Sequence, residues 1–476
     1  MLKKLHGRKL AVCLIGGAMY ALFSAFGWQA EHGGVIWAGG ALLVAALLVW
    51  PIAALLAVLL ERGYTRALRR EKTFRAGRAF AFILACYVPM FCVAFPGSFA
   101  YDVPYQLRQV VTGAYSTHHP LLHTLALGGL LQLGRALGDI NLGAALYTAL
   151  QMALLAGCFA LTLALLNEIQ EKPSRGLALK IAACGALAVM LRNNMAYAAL
   201  VWLAILTIGL RKAEKSAALA MLLALAVGLC GNAALKHATR AESGDMSEML
   251  SWPIQQLARA RLYDEDRLTD AEKEAIDELM PGEAWACYDP TISDPVKFEF
   301  DTQAFRADVK KYVGVWLSVG KKCAGTYLDA TMALTYPFFY PYREYRVSGY
   351  YVQMGMSDAY DAGWCDFDPP ESRSPFPRAL ASLSWRFGAK GAMQIPVVGW
   401  LFNMGVIVWT MLFFALREMY WGRWRRFGTA LLPVLLWGTF LLGPVMAGRY
   451  IYPFVCALPV LAARPGRIVK EAERHG

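Results

Sequence analysis

The sequence predicts an all-α polytopic membrane protein with about ten transmembrane helices. Of the 476 residues, 57% are hydrophobic, and the mean hydropathy is +0.38. A soluble protein of this size rarely stays so apolar, because its surface must carry charge. The apolar residues form runs close to the roughly 20 residues that cross a bilayer as a helix. Helices also satisfy the backbone hydrogen bonds inside lipid.

The net charge of +12 is explained by basic loops of a membrane protein. Such a charge would also suit a nucleic-acid-binding protein. The basic residues, however, cluster in short segments between the apolar runs, as they do in cytoplasmic loops. We therefore predict a lipid bilayer as a partner and no nucleic acid.

Ten apolar runs are predicted to cross the membrane. They cover 10–28, 35–60, 79–95, 142–166, 177–191, 195–210, 216–235, 396–416, 428–447 and 450–463. The dense basic segment 61–78 and the later Lys and Arg clusters place both chain ends in the cytoplasm. The stretch 121–137 is too polar and glycine-broken for a span, so we expect an amphipathic helix at the interface.

The chain divides into three predicted parts. Residues 1–235 form an N-terminal transmembrane module with an outer loop at 96–124. Residues 236–395 are more polar and form a mostly helical segment outside the cytoplasm, in which Thr269 is a predicted helix N-cap. Residues 396–476 form a C-terminal transmembrane module with a cytoplasmic tail. Within the middle part, 312–342 is expected to pack at the interface, since a crossing there would place Arg417 and Arg423 outside.

The ten cysteines show no CxxC pair and no metal-finger spacing. Cys287, Cys323 and Cys365 lie in the polar segment. A single disulfide among these three is compatible with the sequence but is not required by it.

The outer loop 96–124 gathers polar residues between two apolar runs, and Asp102 is its first candidate. Pro96, Gly97 and Pro104 favour a turn around this carboxylate. Ionisable groups near a membrane are often functional. Asp102 is therefore either a general base or an ordinary solvated loop aspartate. Gln106 adds an amide to the same loop.

Three histidines follow in that loop. His119 and His123 are four residues apart, and Pro120 suits the first turn of a helix. His118, His119 and His123 could ligate a metal, donate to a phosphate, or form interfacial hydrogen bonds. HxxxH without an adjacent glutamate is a weak metal signal, so a divalent metal is not favoured and no cofactor is predicted.

Two arginines stand at the ends of apolar runs. Arg192, followed by Asn193, separates two short runs, and Arg449 precedes the last one. A guanidinium there can grip phosphate with its planar fork, or it can form a structural salt bridge or snorkel to the interface. The sequence has no GxxxxGK[ST] and no GxSxG, so P-loop nucleotide binding and serine-hydrolase chemistry have no support.

Several motifs together resemble a known family. They are PGSFAYDVPYQLRQ from Pro96, HHPLLHT from His118, LRNN from Leu191, SWPIQQLAR from Ser251, YDPTISDPVK from Tyr288 and GRY from Gly448. Over about 79–452 the chain resembles a family of large bacterial membrane proteins grouped with the GT-C-type glycosyltransferase superfamily.

The resemblance implies a GT-C-like fold and an inverting glycosyltransferase of the bacterial plasma membrane. Such enzymes take sugar from a polyprenyl-phosphate donor and work outside the cytoplasm, here on a glycan, lipid or protein acceptor. Their early outer loop carries an acidic residue that acts as base or helps to bind metal, and it corresponds to Asp102. Many members have an acidic pair there, whereas Val103 follows Asp102, which weakens a metal-dependent mechanism.

The resemblance also suggests roles for the remaining candidates. Arg192, with His118, His119 or Arg449, would hold the donor phosphate, and Gln106, His123 and Asn193 would complete the substrate site. Two other classes remain open. A flippase or transporter of lipid-linked sugar predicts buried mid-span charges and paired broken helices. A non-catalytic scaffold for envelope assembly predicts a freely solvated Asp102.

Overall fold

The computed structural model describes residues 2, 5–33, 40–62, 75–97, 102–168, 175–209, 215–244, 246–342, 397–401 and 403–462. Most of the basic segment 61–78, Cys365 and the predicted cytoplasmic tail lie outside these ranges. Within the described residues, strand-type pairing is limited to isolated bridges. The predicted all-α class is confirmed.

The described ranges contain α-helices from Gly7 to Ala462. In order, they are α1 (Gly7–Glu31), α2 (Gly40–Arg62), α3 (Ala76–Val93), α4 (Val103–Thr112), α5 (Leu121–Ala136), α6 (Ile140–Glu168), α7 (Arg175–Leu191), α8 (Asn193–Gly209), α9 (Lys215–Thr239), α10 (Ser251–Tyr263), α11 (Asp270–Leu279), α12 (Asp294–Lys297), α13 (Thr302–Ala307), α14 (Val309–Lys322), α15 (Ala324–Thr335), α16 (Met404–Tyr420), α17 (Trp424–Phe440) and α18 (Tyr452–Ala462).

Among the described residues, five helices are long and apolar enough to cross a membrane. They are Gly7–Glu31, Gly40–Glu61, Ala76–Val93, Ile140–Ala164 and Ala218–Thr239. Shorter apolar helical stretches occur at Leu179–Leu191, Asn193–Thr207 and Gly448–Ala462. Each of the ten predicted runs overlaps an α-helix, although α16 begins only at Met404 in the run 396–416 and α17 ends at Phe440 in the run 428–447. The membrane-embedded class is supported. The number of crossings stays a prediction.

The chain forms two compact units. The first unit contains Met1–Tyr64, Asp245–Gly349 and Ala392–Leu458, and the second contains Thr65–Gly244, Tyr350–Gly391 and Pro459–Gly476. Compactness therefore groups the first two helices with the polar segment and the C-terminal helices, whereas the sequence suggested a division by position along the chain.

In the first unit, small residues bring the membrane helices together. Gly17 of α1 faces Ala53 and the Val49 carbonyl of α2, where a Cβ would lie only 2.7 Å from that oxygen. Helix α16 also packs against α1, since the Tyr20 hydroxyl donates to the Trp409 carbonyl at 2.6 Å. Close approach of backbones over small residues is the usual way in which membrane helices associate.

Helix α16 carries a buried ion pair near its end. Arg417 donates through Nε and Nη2 to Glu418 Oε1 at 2.9 and 2.7 Å, and both side chains are nearly inaccessible. Nearby, Glu61 accepts from Lys9 and from the Tyr420 hydroxyl, each at 2.7 Å. The sequence placed Arg417 among the loop charges that follow a span, whereas the structure buries it.

The polar segment 246–342 of the first unit has a hydrophobic core of its own. The core is formed mainly by α10, α11, α14 and α15, with Ile254, Leu257, Ile276 and Leu279 at its centre. The predicted N-cap is confirmed: the Thr269 hydroxyl accepts from the Glu272 backbone, and the Glu272 carboxylate accepts from the Thr269 backbone. This reciprocal capping box fixes the start of α11.

The two cysteines of this segment that the structure describes are free thiols. Cys287 is exposed and Cys323 is buried, so no disulfide joins them. Any pairing with Cys365 lies outside the described residues.

In the second unit, α7 and α9 run parallel to each other. Gly185 faces Ala224, and four residues later Val189 faces Gly228. The contacting positions advance in the same direction along both helices, so the intervening helix α8 must run in the opposite direction. The chain therefore reverses direction at Arg192. The predicted break at Arg192 is therefore present as a one-residue turn between two helices.

Candidate functional site

Helix α4 places Asp102 and two glutamines at the site. Asp102 immediately precedes α4, is partly buried, and does not cap the helix with its side chain. Gln106 and Gln109 are buried on the inner face of α4, together with the apolar Val103 and Leu107. Buried amides need partners, and these come from the residues that follow α4: Ser116 N donates to Gln109 Oε1 at 3.0 Å, and Gln106 pairs with His123.

Gln106 begins a chain of hydrogen bonds that runs through His123. Its Oε1 lies 3.1 Å from His123 Nδ1. The Tyr147 hydroxyl lies 2.5 Å from His123 Nε2, and Gln151 Nε2 donates to that hydroxyl at 2.7 Å. Both ring nitrogens of His123 are engaged by protein groups in this arrangement, which suits a residue that positions others more than one that contacts substrate.

The environment of His123 favours its neutral form. Burial lowers the pKa of His123 below its ordinary value, and the negative charge of Asp102 acts in the opposite direction without reversing the effect. Burial dominates because desolvation penalises the charged imidazolium. Asp102 is therefore near enough to influence His123 electrostatically, although the two residues are 21 positions apart in the sequence.

His118 and His119 lie in a loop that is fastened to the end of α9. Thr117 N donates to the Glu242 carbonyl and Glu242 N donates to the Tyr115 carbonyl, both at 2.9 Å. Gly244 N donates to the Thr117 hydroxyl at 2.9 Å. The two histidine rings meet edge to face with centroids 4.6 Å apart.

The cationic end of α9 joins this loop. Lys236 Nζ donates to the Ser243 hydroxyl at 2.8 Å, next to Gly244, where a Cβ would lie 3.1 Å from the His118 backbone. His118 is exposed and His119 is half-buried. Both histidines are therefore held on a surface to which α9 contributes an ammonium group.

Arg192 and Asn193 lie at the same end of the second unit. Asn232 Nδ2 donates to the Val189 carbonyl at 3.4 Å, so the end of α7 is level with this part of α9. Lys236 follows one helical turn beyond Asn232, about 6 Å along the axis. We call this end of the second unit, with Asp102, the histidine loop, Arg192 and Asn193, the Asp102 end.

Arg449 belongs to the first unit. It lies in the short helix Gly448–Ile451, with its guanidinium 5.1 Å from the centre of the Tyr450 ring. The loop before it is fixed by the polar segment: Trp252 Nε1 donates to the Leu441 carbonyl at 2.7 Å, and Ser293 N donates to the Pro444 carbonyl at 2.9 Å.

The same contacts bring three of the sequence motifs together. Gln255 Nε2, in SWPIQQLAR, donates to the carbonyls of Asp289 and Ile292 at 2.7 and 3.1 Å, and these belong to YDPTISDPVK. Ile292 in turn pairs with Val445, just before GRY. In the first unit, therefore, these motifs form one connected structure that supports the Arg449 loop.

No group of three His, Cys, Asp or Glu side chains suited to a metal ion occurs within the described residues. Sequence reasoning missed Tyr147 and Gln151 as parts of the site. The signal was available, since they are two polar residues four apart within an apolar run, a spacing that places both on one face of a helix. Their partner His123 is far away in sequence, and no local pattern identifies it.

Comparison with known proteins gives one match. Residues 167–475 match a family model described as "Family of unknown function (DUF6020)". No curated protein matches the chain, and no solved structure matches it. The matched region includes Arg192, the polar segment and Arg449, and it begins after the Asp102 loop. Because the match covers more than half of the sequence, the chain belongs to the DUF6020 family of unknown function.

Proposed function

We propose that this protein is a membrane glycosyltransferase that moves a sugar from a polyprenyl-phosphate donor to an acceptor hydroxyl outside the cytoplasm. The resemblance of its motifs to GT-C-type enzymes suggests the reaction class. The observation that carries the proposal is the gathering of a carboxylate, two imidazoles and a guanidinium at one end of the second unit. Asp102, His118, His119 and Arg192 come from three separate stretches of sequence, yet they share that end.

The proposed topology has about ten crossings, with both chain ends in the cytoplasm of a bacterial cell. The Asp102 end then faces away from the cytoplasm, where the acceptor is a glycan, a lipid or a protein. The basic segments between helices support this orientation.

In the proposed reaction, the acceptor oxygen attacks the anomeric carbon, and the bond between that carbon and the phosphate oxygen breaks. Asp102 takes the hydroxyl proton as general base. The polyprenyl phosphate leaves with the bonding electrons, and the configuration at the anomeric carbon inverts. Arg192, with His118 or His119, stabilises the negative charge on the departing phosphate. No metal is needed in this scheme.

Replacing Asp102 by Asn tests the base. The variant keeps the shape of the side chain but cannot accept the proton at neutral pH. We expect transfer to fall by about 100-fold or more, since a positioned general base contributes about 10²–10⁴-fold. The donor is first identified by profiling lipid-linked sugars in cells with and without the gene, as the one that accumulates. Transfer from that donor is then measured with purified protein in nanodiscs.

Asp266→Asn is the matched control, because Asp266 is an exposed aspartate of the polar segment. It should transfer sugar at the wild-type rate. An Asp102→Asn protein as fast as wild type would exclude Asp102 as the base.

Labelling of single engineered thiols at positions 102 and 192 tests the orientation. Both positions should react with a membrane-impermeant reagent added from the same side. Reaction from opposite sides would end the proposal, because the base and the phosphate grip would then face different compartments. Arg449→Gln provides a separate test of whether Arg449 binds the donor, which stays a prediction.

A further inference from the structure

The hydrogen-bonded chain beside Asp102 has a defined direction. A tyrosine hydroxyl has one hydrogen, and that of Tyr147 accepts from Gln151 Nε2 at 2.7 Å. Its own hydrogen is therefore available for His123 Nε2 at 2.5 Å. An Nε2 that accepts leaves the ring proton on Nδ1, which then donates to Gln106 Oε1 at 3.1 Å. Every polar atom in the chain has a role that its chemistry allows.

The surroundings leave this chain little freedom. Gln106 and Tyr147 are buried at 4% and 6% exposure. Helix α4 lies against α5, since Gly128 of α5 faces Val110 of α4 so closely that a Cβ would clash. Helix α5 lies equally closely against α6, where Gly134 faces the backbone of Gly143. The glutamine, the histidine and the tyrosine thus project from three helices that cannot easily separate.

We propose that Tyr147, itself held by Gln151, is a positioning residue that keeps His123 neutral with its proton on Nδ1, so that Asp102 acts as a base with no cation on that imidazole. The purpose of this arrangement rests on the function proposed above. The tautomer and charge of His123 do not depend on that function, because the surrounding residues define them without any substrate.

The reason is electrostatic. A cation close to a carboxylate favours the charged form of that carboxylate and makes it a weaker base. The negative charge of Asp102 raises the pKa of His123, but burial lowers it more and disfavours the imidazolium. Cations on the helices that pack against α5 include Arg108 of α4, Lys180 of α7 and Lys236 of α9, and Arg192 directly follows α7. Protonation of Nε2 would also require the Tyr147 hydroxyl to turn away. The tyrosine therefore adds a free-energy cost for the charged ring to the cost of burial.

Nitrogen NMR of the full-length protein in nanodiscs, with ¹⁵N-labelled histidine, tests the proposal directly. The chain has seven histidines, and the signal lost in a His123→Gln variant identifies the one of interest. In the wild type we expect a neutral ring with a protonated Nδ1 at pH 7. In Tyr147→Phe, the loss of one hydrogen bond to the neutral ring should shift the protonation equilibrium toward the cation by about fivefold.

Tyr197→Phe is the matched control, because Tyr197 is an exposed tyrosine of α8, and it should leave the His123 signal unchanged. Gln151→Met keeps the side-chain volume and should weaken the preference for Nδ1, which provides a second variant if Tyr147→Phe does not fold. A wild-type ring that is charged at pH 7, or protonated on Nε2, would overturn the proposal. So would a Tyr147→Phe spectrum identical to that of the wild type.

Transfer activity separates this inference from the proposed function. Tyr147→Phe should move the acid limb of the kcat profile to higher pH, because His123 then becomes charged more easily. Asp102→Asn should reduce transfer at every pH. Full activity of Asp102→Asn together with the expected NMR result would reject the proposed function and leave the role of Tyr147 in fixing His123 intact.

Discussion

The polar segment of the first unit and the Asp102 end of the second unit satisfy their buried polar groups in different ways. In the polar segment, charges meet opposite charges: buried Lys297 binds Glu248 and Asp294 at 2.6 Å. At the Asp102 end, a hydrogen-bonded chain of two amides, a phenol and an imidazole runs from buried Gln106 to exposed Gln151. Ion pairs hold the polar segment together, whereas amide and phenol groups hold His123 in place near Asp102.

Removing the buried ammonium from the polar segment should have the largest effect on stability. Burial opposes the charge of Lys297, but hydrogen bonds to Asp294 and Glu248 raise its pKa. Lys297→Met would leave these two carboxylates facing each other without a cation. We expect the free energy of unfolding to fall by about 3 kcal/mol, measured by denaturation in detergent. The exposed Lys310→Met should change it little, and equal losses in both variants would show that Lys297 is not a special contact.

The capping carboxylate of α11 should make this segment sensitive to acid. Burial alone would raise the pKa of Glu272, but hydrogen bonds from Lys322, the Thr269 backbone and Ser318 outweigh it and lower the pKa from 4.5 to about 2. Because the folded value is depressed, the stabilisation is complete above pH 4.5 and is lost as the pH falls toward 2. With partly exposed Lys322, this amounts to about 2 kcal/mol at neutral pH.

Glu272→Gln should reproduce that loss at pH 7 and should approach the wild type in stability at about pH 2. Unfolding followed by tryptophan fluorescence at several pH values measures the difference. A constant gap between the two proteins across this range would mean that the charge of Glu272 contributes nothing.

Adjacent glycines in α5 offer a sharper test of the packing at the Asp102 end. A Cβ at Gly128 would lie within 2.9 Å of the side-chain carbons of Val110, whereas Gly129 has open space around it. Gly128→Ala should therefore cost about 1–2 kcal/mol through overpacking and disturb the bond between Gln106 and His123. Gly129→Ala should stabilise α5 by up to about 1 kcal/mol. Thermal unfolding and the His123 signal measure the two effects, and equal behaviour of the variants would contradict the close packing of α4 on α5.

The features that depend on neighbouring residues could be predicted from the sequence. Apolar run length located the helices, Thr269 before a polar helical stretch was identified as an N-cap, and a charged break between two runs located the turn at Arg192. The burial of Arg417 could not be predicted, because it depends on packing among helices that are distant in sequence. The bond between His123 and Tyr147 was missed for the same reason, since a single sequence carries no signal for a contact across two helices.

The reversal at Arg192 also has a consequence for the surrounding lipid. Helices α7 and α8 have 17 residues each, about 25 Å of helix, against a hydrocarbon core of about 30 Å. A bilayer meets such a short hairpin by thinning or by letting the tip sink below the headgroups. In the proposed topology, either response would create a local dimple with the Arg192 guanidinium at its floor, at a depth that the phosphate of the proposed polyprenyl donor could reach without leaving the membrane.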